Sequence, residues 1–223
     1  MAQKPGAFEE DYFAKTYGGT GGSYAARTTP NKWRSMVDFI RAFVPSFDSA
    51  LDVGCAEGSF LAHAVRAFPR VEWQGTDVSE YALEKARAAL PRLRLQQSGA
   101  EKLPFADASF DLVTAFDVLE HVPELKAGVN ELHRVLKPGG YLMVTVPVYD
   151  GPLGWVVEAL DKDPTHLHKH GRRWWLEGDL ASRFELLEWH GAWRYYLRRY
   201  WHFRGKRLRD ASPAIVMAWK RRD

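Results

Sequence analysis

The chain has 223 residues, 46% of them apolar and 26% charged, with a formal net charge of +3. That length supports one larger domain with its own core, and the balance excludes a disordered or fibrous chain. No apolar run reaches the roughly 18 residues of a membrane-spanning helix; residues 1–11 lack the apolar stretch of a secretory leader, and a lone cysteine, Cys55, excludes an internal disulfide framework and suits the cytoplasm.

The charge is uneven. From Arg172 onward there are 13 Lys/Arg against 6 Asp/Glu, whereas the rest has 18 against 22, and six of the nine tryptophans fall in the basic part. A nucleic-acid or membrane face is one reading of this asymmetry. Inward-packed aromatics with solvated arginines is the reading that the helix and strand patterns favour.

In chain order, residues 1–30 read as an arm or lid, since Tyr12, Phe13, Tyr17 and Tyr24 surround Gly18, Gly19, Gly21 and Gly22 without periodicity. Residues 33–44 carry a helical stripe (Trp33, Met36, Val37, Ile40, Val44) stopped by Pro45. Strands are predicted at 50–53, 71–78, 93–97, 110–116 and 141–148. Helices are predicted between them at 60–68, at 80–90 and along Leu125, Val129, Leu132 and Leu136, the last ending at Pro138-Gly139-Gly140. Such alternation indicates βαβ units around a parallel sheet. Residues 184–189 and 214–219 read as two more strands without crossover helices. Between them Trp193, Tyr196, Leu197, Tyr200 and Trp201 recur at helical spacing, with Arg194, Arg198, Arg199 and Arg209 mostly elsewhere. A helix packed on the sheet and bordering the acceptor pocket is expected there, ahead of a dimer wall or a basic membrane-touching surface.

The segment Leu51-Asp52-Val53-Gly54-Cys55-Ala56-Glu57-Gly58 follows a strand and opens a helix, where α/β folds bind ligands. A dinucleotide fingerprint needs a middle glycine for the pyrophosphate; Ala56 stands there, which suits a ligand without phosphate. Asp77 ends the next strand, where an acid accepts both hydroxyls of a ribose or, in the blander reading, caps the helix that follows.

These segments, with Gly75–Ser79, Ala100–Phe105, Phe110–Val113, Leu119–Val122 and Leu136–Gly140 in order, resemble the class I S-adenosylmethionine-dependent methyltransferases, and among them the branch that includes ubiquinone-type O-methyltransferases. The match covers about residues 50–148. The resemblance implies an α/β, doubly wound, Rossmann-like sheet of seven mostly parallel strands with the last antiparallel. It makes residues 50–148 the cofactor core, 149–183 an acceptor-side insert, and 184–223 closing strands with a basic aromatic segment. It implies that Gly54, Cys55, Ala56 and Gly58 line the methionine part of the cofactor. Asp77 would meet its ribose, Ala100 and Glu101 its adenine, and Phe116 its sulfonium end, with Asp52 and Val78 as further cofactor-binding candidates. The family's usual acid before the Ala-Glu pair is replaced by Gly99, which leaves the adenine amino group to backbone partners.

The sulfonium already activates the methyl group, so the protein positions a nucleophile and removes its proton. A hydroxyl acceptor needs a base or a metal. Asp117, Glu120 and His121 lie just after the fourth strand, and Asp163–His170 adds His166, His168 and His170. Asp117, Glu120, His121 and His166 together offer a mixed oxygen and nitrogen site for a hard divalent cation such as magnesium. This resembles the Glu-x-x-Glu-His metal element of ubiquinone-type and small-RNA 2′-O-methyltransferases, with Asp117 in place of the first glutamate. Without a metal, His121 or His166 is the natural base, assisted by Asp117, and His168 and His170 are surface residues. The leading expectation is a cytoplasmic O-methyltransferase for a small-molecule hydroxyl (sugar, phenol or natural product), with a homodimer as its candidate assembly. Its alternatives are an RNA or tRNA methyltransferase and one acting on a lipid-linked or quinone acceptor. The modest net charge and lack of an appended RNA-binding module argue against nucleic acid.

Overall fold

The structure is a computed structural model that describes Tyr12 and residues 30–161, 163–193, 201–204 and 209–223. Helix α1 (Pro30–Phe43) leads into β1 (Ser49–Val53), α2 (Ser59–Ala67), β2 (Glu72–Asp77), α3 (Glu80–Ala89) and β3 (Arg94–Gln97). Next come β4 (Phe110–Phe116), a 3-10 turn (Leu119–His121), α4 (Leu125–Val135) and β5 (Leu136–Pro147). Short helices α5 (Gly154–Leu160), α6 (Arg172–Glu177) and α7 (Asp179–Arg183) precede β6 (Phe184–Trp193), β7 (Trp201–Phe203) and β8 (Ala214–Arg221). The sheet order is β3-β2-β1-β4-β5-β8-β6-β7. The first five strands are parallel, and β8 runs antiparallel to both β5 and β6. The expected seven strands are present in the doubly wound arrangement, and the three-residue β7 adds an eighth at the edge.

Both faces of the sheet are covered, so its central strands are apolar throughout rather than alternating with polar residues. Their two-residue period sorts side chains between two cores. Leu51, Val113, Leu142, Val144, Met217 and Trp219 pack with α4, α6 and α7. Ala50, Leu112, Met143, Val216 and Ala218 pack with α1, α2 and α3. Away from the ligand-binding edge, Asp111 ties three strands together. It accepts from the backbone of Ser49 (2.9 Å) and from Lys137 (2.8 Å). Burial works against its charge, but these donors prevail and hold its pKa down at about 2. The Phe110–Val113 and Leu136–Gly140 motifs are thus the two sides of a strand clamp.

Two expectations change. The crossover helix α4 stops at Val135, not at Pro138, and Leu136 already pairs with Phe110. Pro138 disfavours helical backbone at Lys137, and Gly139 turns at φ 72° beside a register shift in the β4–β5 ladder. The helix expected from residue 193 to 209 does not begin at Trp193. That residue ends β6 and is the cross-strand partner of Trp201 in β7. Tyr196, Leu197, Tyr200, Arg194, Arg198 and Arg199 lie outside the described residues. Pairing along the sheet edge satisfies backbone groups at both ends of the segment, a tertiary gain that outranks side-chain spacing.

Trp219 is fully buried in the centre of the antiparallel half. Trp219→Ala should lower unfolding free energy by about 3–5 kcal/mol, read as a shift of the denaturant midpoint at unchanged slope.

Candidate active site

The strand order reverses between β1 and β4, which opens a crevice at the carboxyl ends of the strands. The chain leaves β1 through a turn with three left-handed residues, Gly54 (φ 70°), Ala56 (φ 47°) and Gly58 (φ 78°). At Gly54 glycine is required twice over, because a Cβ would collide with the Val118 side chain. The turn is held from below by Asp77. One carboxylate oxygen accepts the Ala56 N–H at 2.8 Å and the other the Ser79 N–H at 2.9 Å. Burial raises the Asp77 pKa against the pull of these bonds. The capping role considered for Asp77 falls instead to Ser79, whose hydroxyl accepts the Ala82 N–H of α3.

Above the turn is a hollow of about 260 Å³, open to solvent and lined by Asp52, Gly54, Cys55, Ala56 and Phe116. Gly58 stands at the N-cap of α2, packed near Leu90 and Ala86. Three further residues that line the hollow, Trp33, Ser59 and Phe60, escape sequence reasoning, which reads Trp33 and Phe60 only as apolar helix positions. Their rings stack edgewise and tilted against Phe116, at 6.5 Å from Trp33 and 4.9 Å from Phe60. Burial lifts the Asp52 pKa to about 7. The Thr114 hydroxyl, 2.6 Å away, lowers it, the Asp77 charge raises it, and Lys32 lowers it. Burial also pushes the Cys55 thiol well up, helped by Asp77 and Asp52, which makes Cys55 a packing residue rather than a nucleophile.

Beyond Asp77, Val78 is exposed and Ala100 buried, with Gly99 between them in space. A Cβ on Gly99 would stand 3.6 Å from Val78 and 2.8 Å from the Glu101 carboxylate. Glu101 therefore folds back over the place where the family's usual acid would project. A carboxylate is present there after all, carried two residues later.

On the other side of the crevice, Asp117 follows β4 in a left-handed conformation (φ 60°). It pairs with Lys32 at 2.8 Å and accepts from the Thr145 hydroxyl. Glu120, His121 and His166 come together, with one ligand atom from each within 4.8 Å of the others. Asp117 is not in this group. Its short side chain at the end of β4 is engaged by Lys32 from α1, so its expected role as a fourth metal ligand is not seen. The insert closes on the 3-10 turn through backbone, with the Leu167 and His168 N–H groups both donating to the Glu120 carbonyl.

Each histidine of the cluster is oriented by a second partner. Nδ1 of His121 lies 3.1 Å from the Thr165 carbonyl and 2.9 Å from its hydroxyl, which itself donates to Asp163. Nδ1 of His166 lies 2.9 Å from Asp161 and 3.0 Å from the Tyr149 hydroxyl. These contacts favour the proton on Nδ1 and the lone pair on Nε2 in both rings. Burial, then the neighbouring His166, lowers the His121 pKa to about 4. Burial opposes the charge of Asp161, but Lys169, Tyr149 and His166 outweigh it and hold its pKa well below the usual range. Tyr12, from the arm, donates to Asp163 at 2.9 Å. His168 and His170 stay out of the cluster: His168 bonds the Val122 carbonyl, and His170 stacks on Trp174 at 3.8 Å. The supporting residues Tyr149, Asp161 and Thr165 carry no sequence signal, because only folding of the insert brings them to the turn.

The family model described as a methyltransferase domain matches residues 51–144. The demethylmenaquinone methyltransferase of Chlorobaculum parvum is 38% identical over 98 residues, 44% of this chain and 40% of the relative. The ubiquinone/menaquinone biosynthesis C-methyltransferase of Desulfotalea psychrophila is 37% identical over 111 residues, 49% of this chain and 45% of the relative. The chain thus spans about half the length of the curated relatives it matches. The geranyl diphosphate C-methyltransferase of Streptomyces coelicolor A3(2) superposes with a TM-score of 0.64 at 18% identity, over 84% of this chain and 78% of that one. Motif order, strand order and the turn built on Asp77 agree with these matches, and residues 51–144 form a methyltransferase domain of the class I, S-adenosylmethionine-dependent kind.

Proposed function

We propose that this chain transfers the methyl group of S-adenosylmethionine to an apolar acceptor bearing a hydroxyl, of the quinol or lipid-linked kind. The observation that carries the reading is the Glu120–His121–His166 cluster at the end of β4, the strand that also brings Phe116 to the hollow. The methionyl end of the cofactor occupies the hollow, Asp77 accepts its ribose hydroxyls, and Glu101 takes the adenine amino group in place of an acid at position 99.

The acceptor is activated by loss of its hydroxyl proton. That step serves transfer to oxygen and, in a phenol or quinol, to the adjacent ring carbon, where the phenolate charge is shared. His166 is the base, with its ring held by Asp161 and Tyr149 in the manner of a triad histidine. His121, neutral at pH 7, is a wall or a ligand. Glu120, His121 and His166 also fit a divalent cation, because both rings have the second partner that ligating histidines require. A cation held there would lower the pKa of the acceptor hydroxyl. Two imidazoles among three donors suit manganese, iron or zinc ahead of the expected magnesium, which prefers oxygen. An apolar acceptor is favoured over a sugar by Trp155 and Leu160, 73% and 72% exposed on α5, the helix that runs directly into Asp161. The quinone-methylating relatives support the same class, and with it transfer to carbon alongside transfer to oxygen.

The test is turnover of S-adenosylmethionine with reduced naphthoquinones, phenols and sugars, with EDTA and with Mn²⁺ or Mg²⁺ restored, and product analysis to locate the methyl. Methylated quinol is expected, reduced about 100-fold or more in His166→Ala. Methylation of sugars alone would overturn the acceptor class. Asp77→Ala should weaken S-adenosylhomocysteine binding by more than about tenfold, since it removes two hydrogen bonds to a charged acceptor. Binding should also depend on pH through Asp52. The cofactor's ammonium favours the ionised carboxylate, whose pKa burial raises to about 7. Affinity should therefore rise with pH up to about 7 and level off above it. Titration calorimetry across this range should show the slope in the wild type and a flat profile in Asp52→Asn.

A further inference from the structure

The ring of His166 has a carboxylate on either side. Asp161 lies 2.9 Å from Nδ1 and Asp163 lies 3.9 Å from Nε2. The Asp163 N–H donates to Asp161 at 3.1 Å, which holds the two acids in this opposed arrangement. A neutral imidazole carries one ring proton, so the two carboxylates compete for it. Their side chains are only 8% and 9% exposed, so water does little to weaken the contest. With the proton on Nδ1 the lone pair is on Nε2, as a base requires. With the proton on Nε2 the lone pair faces Asp161 and the base is lost.

The donors around Asp163 bear on that contest. Thr165 gives both its N–H (2.9 Å) and its hydroxyl (2.6 Å) to Oδ1. The other oxygen, Oδ2, is the one that faces His166, and it accepts the Tyr12 hydroxyl at 2.9 Å from 151 residues away. Without that hydroxyl, Oδ2 would be a buried carboxylate oxygen short of a donor, which is costly. A small tilt of the His166 ring and a shift of its proton to Nε2 would supply one. We propose that Tyr12 sets the tautomer of His166: by donating to Asp163 it keeps that carboxylate from drawing the proton to Nε2. Tyr12 is thus a positioning residue that acts through Asp163, and its role rests on the reading of His166 as the base.

Nitrogen-15 NMR of the histidine rings in the EDTA-treated full chain reads the tautomer without turnover, with the His166 signals assigned by their loss in His166→Gln. The wild type should show a protonated Nδ1 and an unprotonated Nε2. In Tyr12→Phe, which removes only the hydroxyl, the Nε2–H form should gain by about tenfold or more over the Nδ1–H form, as loss of a bond to a charged acceptor implies. With a reduced naphthoquinone as acceptor, kcat should fall by about tenfold or more, since a wrong tautomer disables a histidine base. Affinity for S-adenosylhomocysteine should stay within about twofold. In Tyr12→Phe/Asp163→Asn the competing charge is gone, and the Nδ1–H form should return. If Tyr12→Phe leaves the tautomer unchanged, whatever happens to activity, or if the double variant does not restore it, the proposal fails. Full activity in His166→Ala would instead overturn the reading of His166 as the base.

Discussion

A single buried carboxylate, that of Asp77, takes the N–H of Ala56 on one oxygen and that of Ser79 on the other, and most of the crevice depends on it. The first bond holds a turn whose residues sit in left-handed backbone, which Ala56 would not adopt unassisted. The second sets the start of α3. Ions of this kind are expensive to bury, and the backbone donors offset part of that expense while leaving each oxygen room for a further donor. Strain at Ala56 and desolvation at Asp77 are thus two sides of one preorganised site.

The other side of the crevice is built on different principles. Its groups come from the 3-10 turn after β4 and from the irregular stretch of the insert between α5 and α6, and they are held by a chain of hydrogen bonds. Tyr12 bonds Asp163, Asp163 bonds Thr165, and Thr165 meets His121, while Lys169 and Tyr149 bond Asp161, which meets His166. Every link fixes a ring or a carboxylate that a proton or metal would otherwise disturb. In the proposed reading the Asp77 side serves the cofactor and the insert side the acceptor. Such a division lets one fold serve many acceptors.

Between the halves lie Asp117 and Lys32. Asp117 is strained at φ 60°, and the bonds from Lys32 and Thr145 on neighbouring elements stabilise that strain. Helix α1, which packs Trp33 against Phe60 and Phe116, is therefore part of the site as well as of the core.

The sequence by itself determined the doubly wound sheet, the turn at residues 51–58, the acid at 77 and the His121 and His166 candidates. These are local: strand period, glycine placement and a residue at a strand end are read from neighbours along the chain. Only the tertiary structure decided the rest. Glu101 folds over Gly99, Asp117 leaves the metal candidates for Lys32, and Ser79 takes the cap from Asp77. Trp193 and Trp201 pair across strands despite their helical spacing. Each outcome is a competition between partners far apart in sequence, settled by which charge or backbone group folding brings within reach.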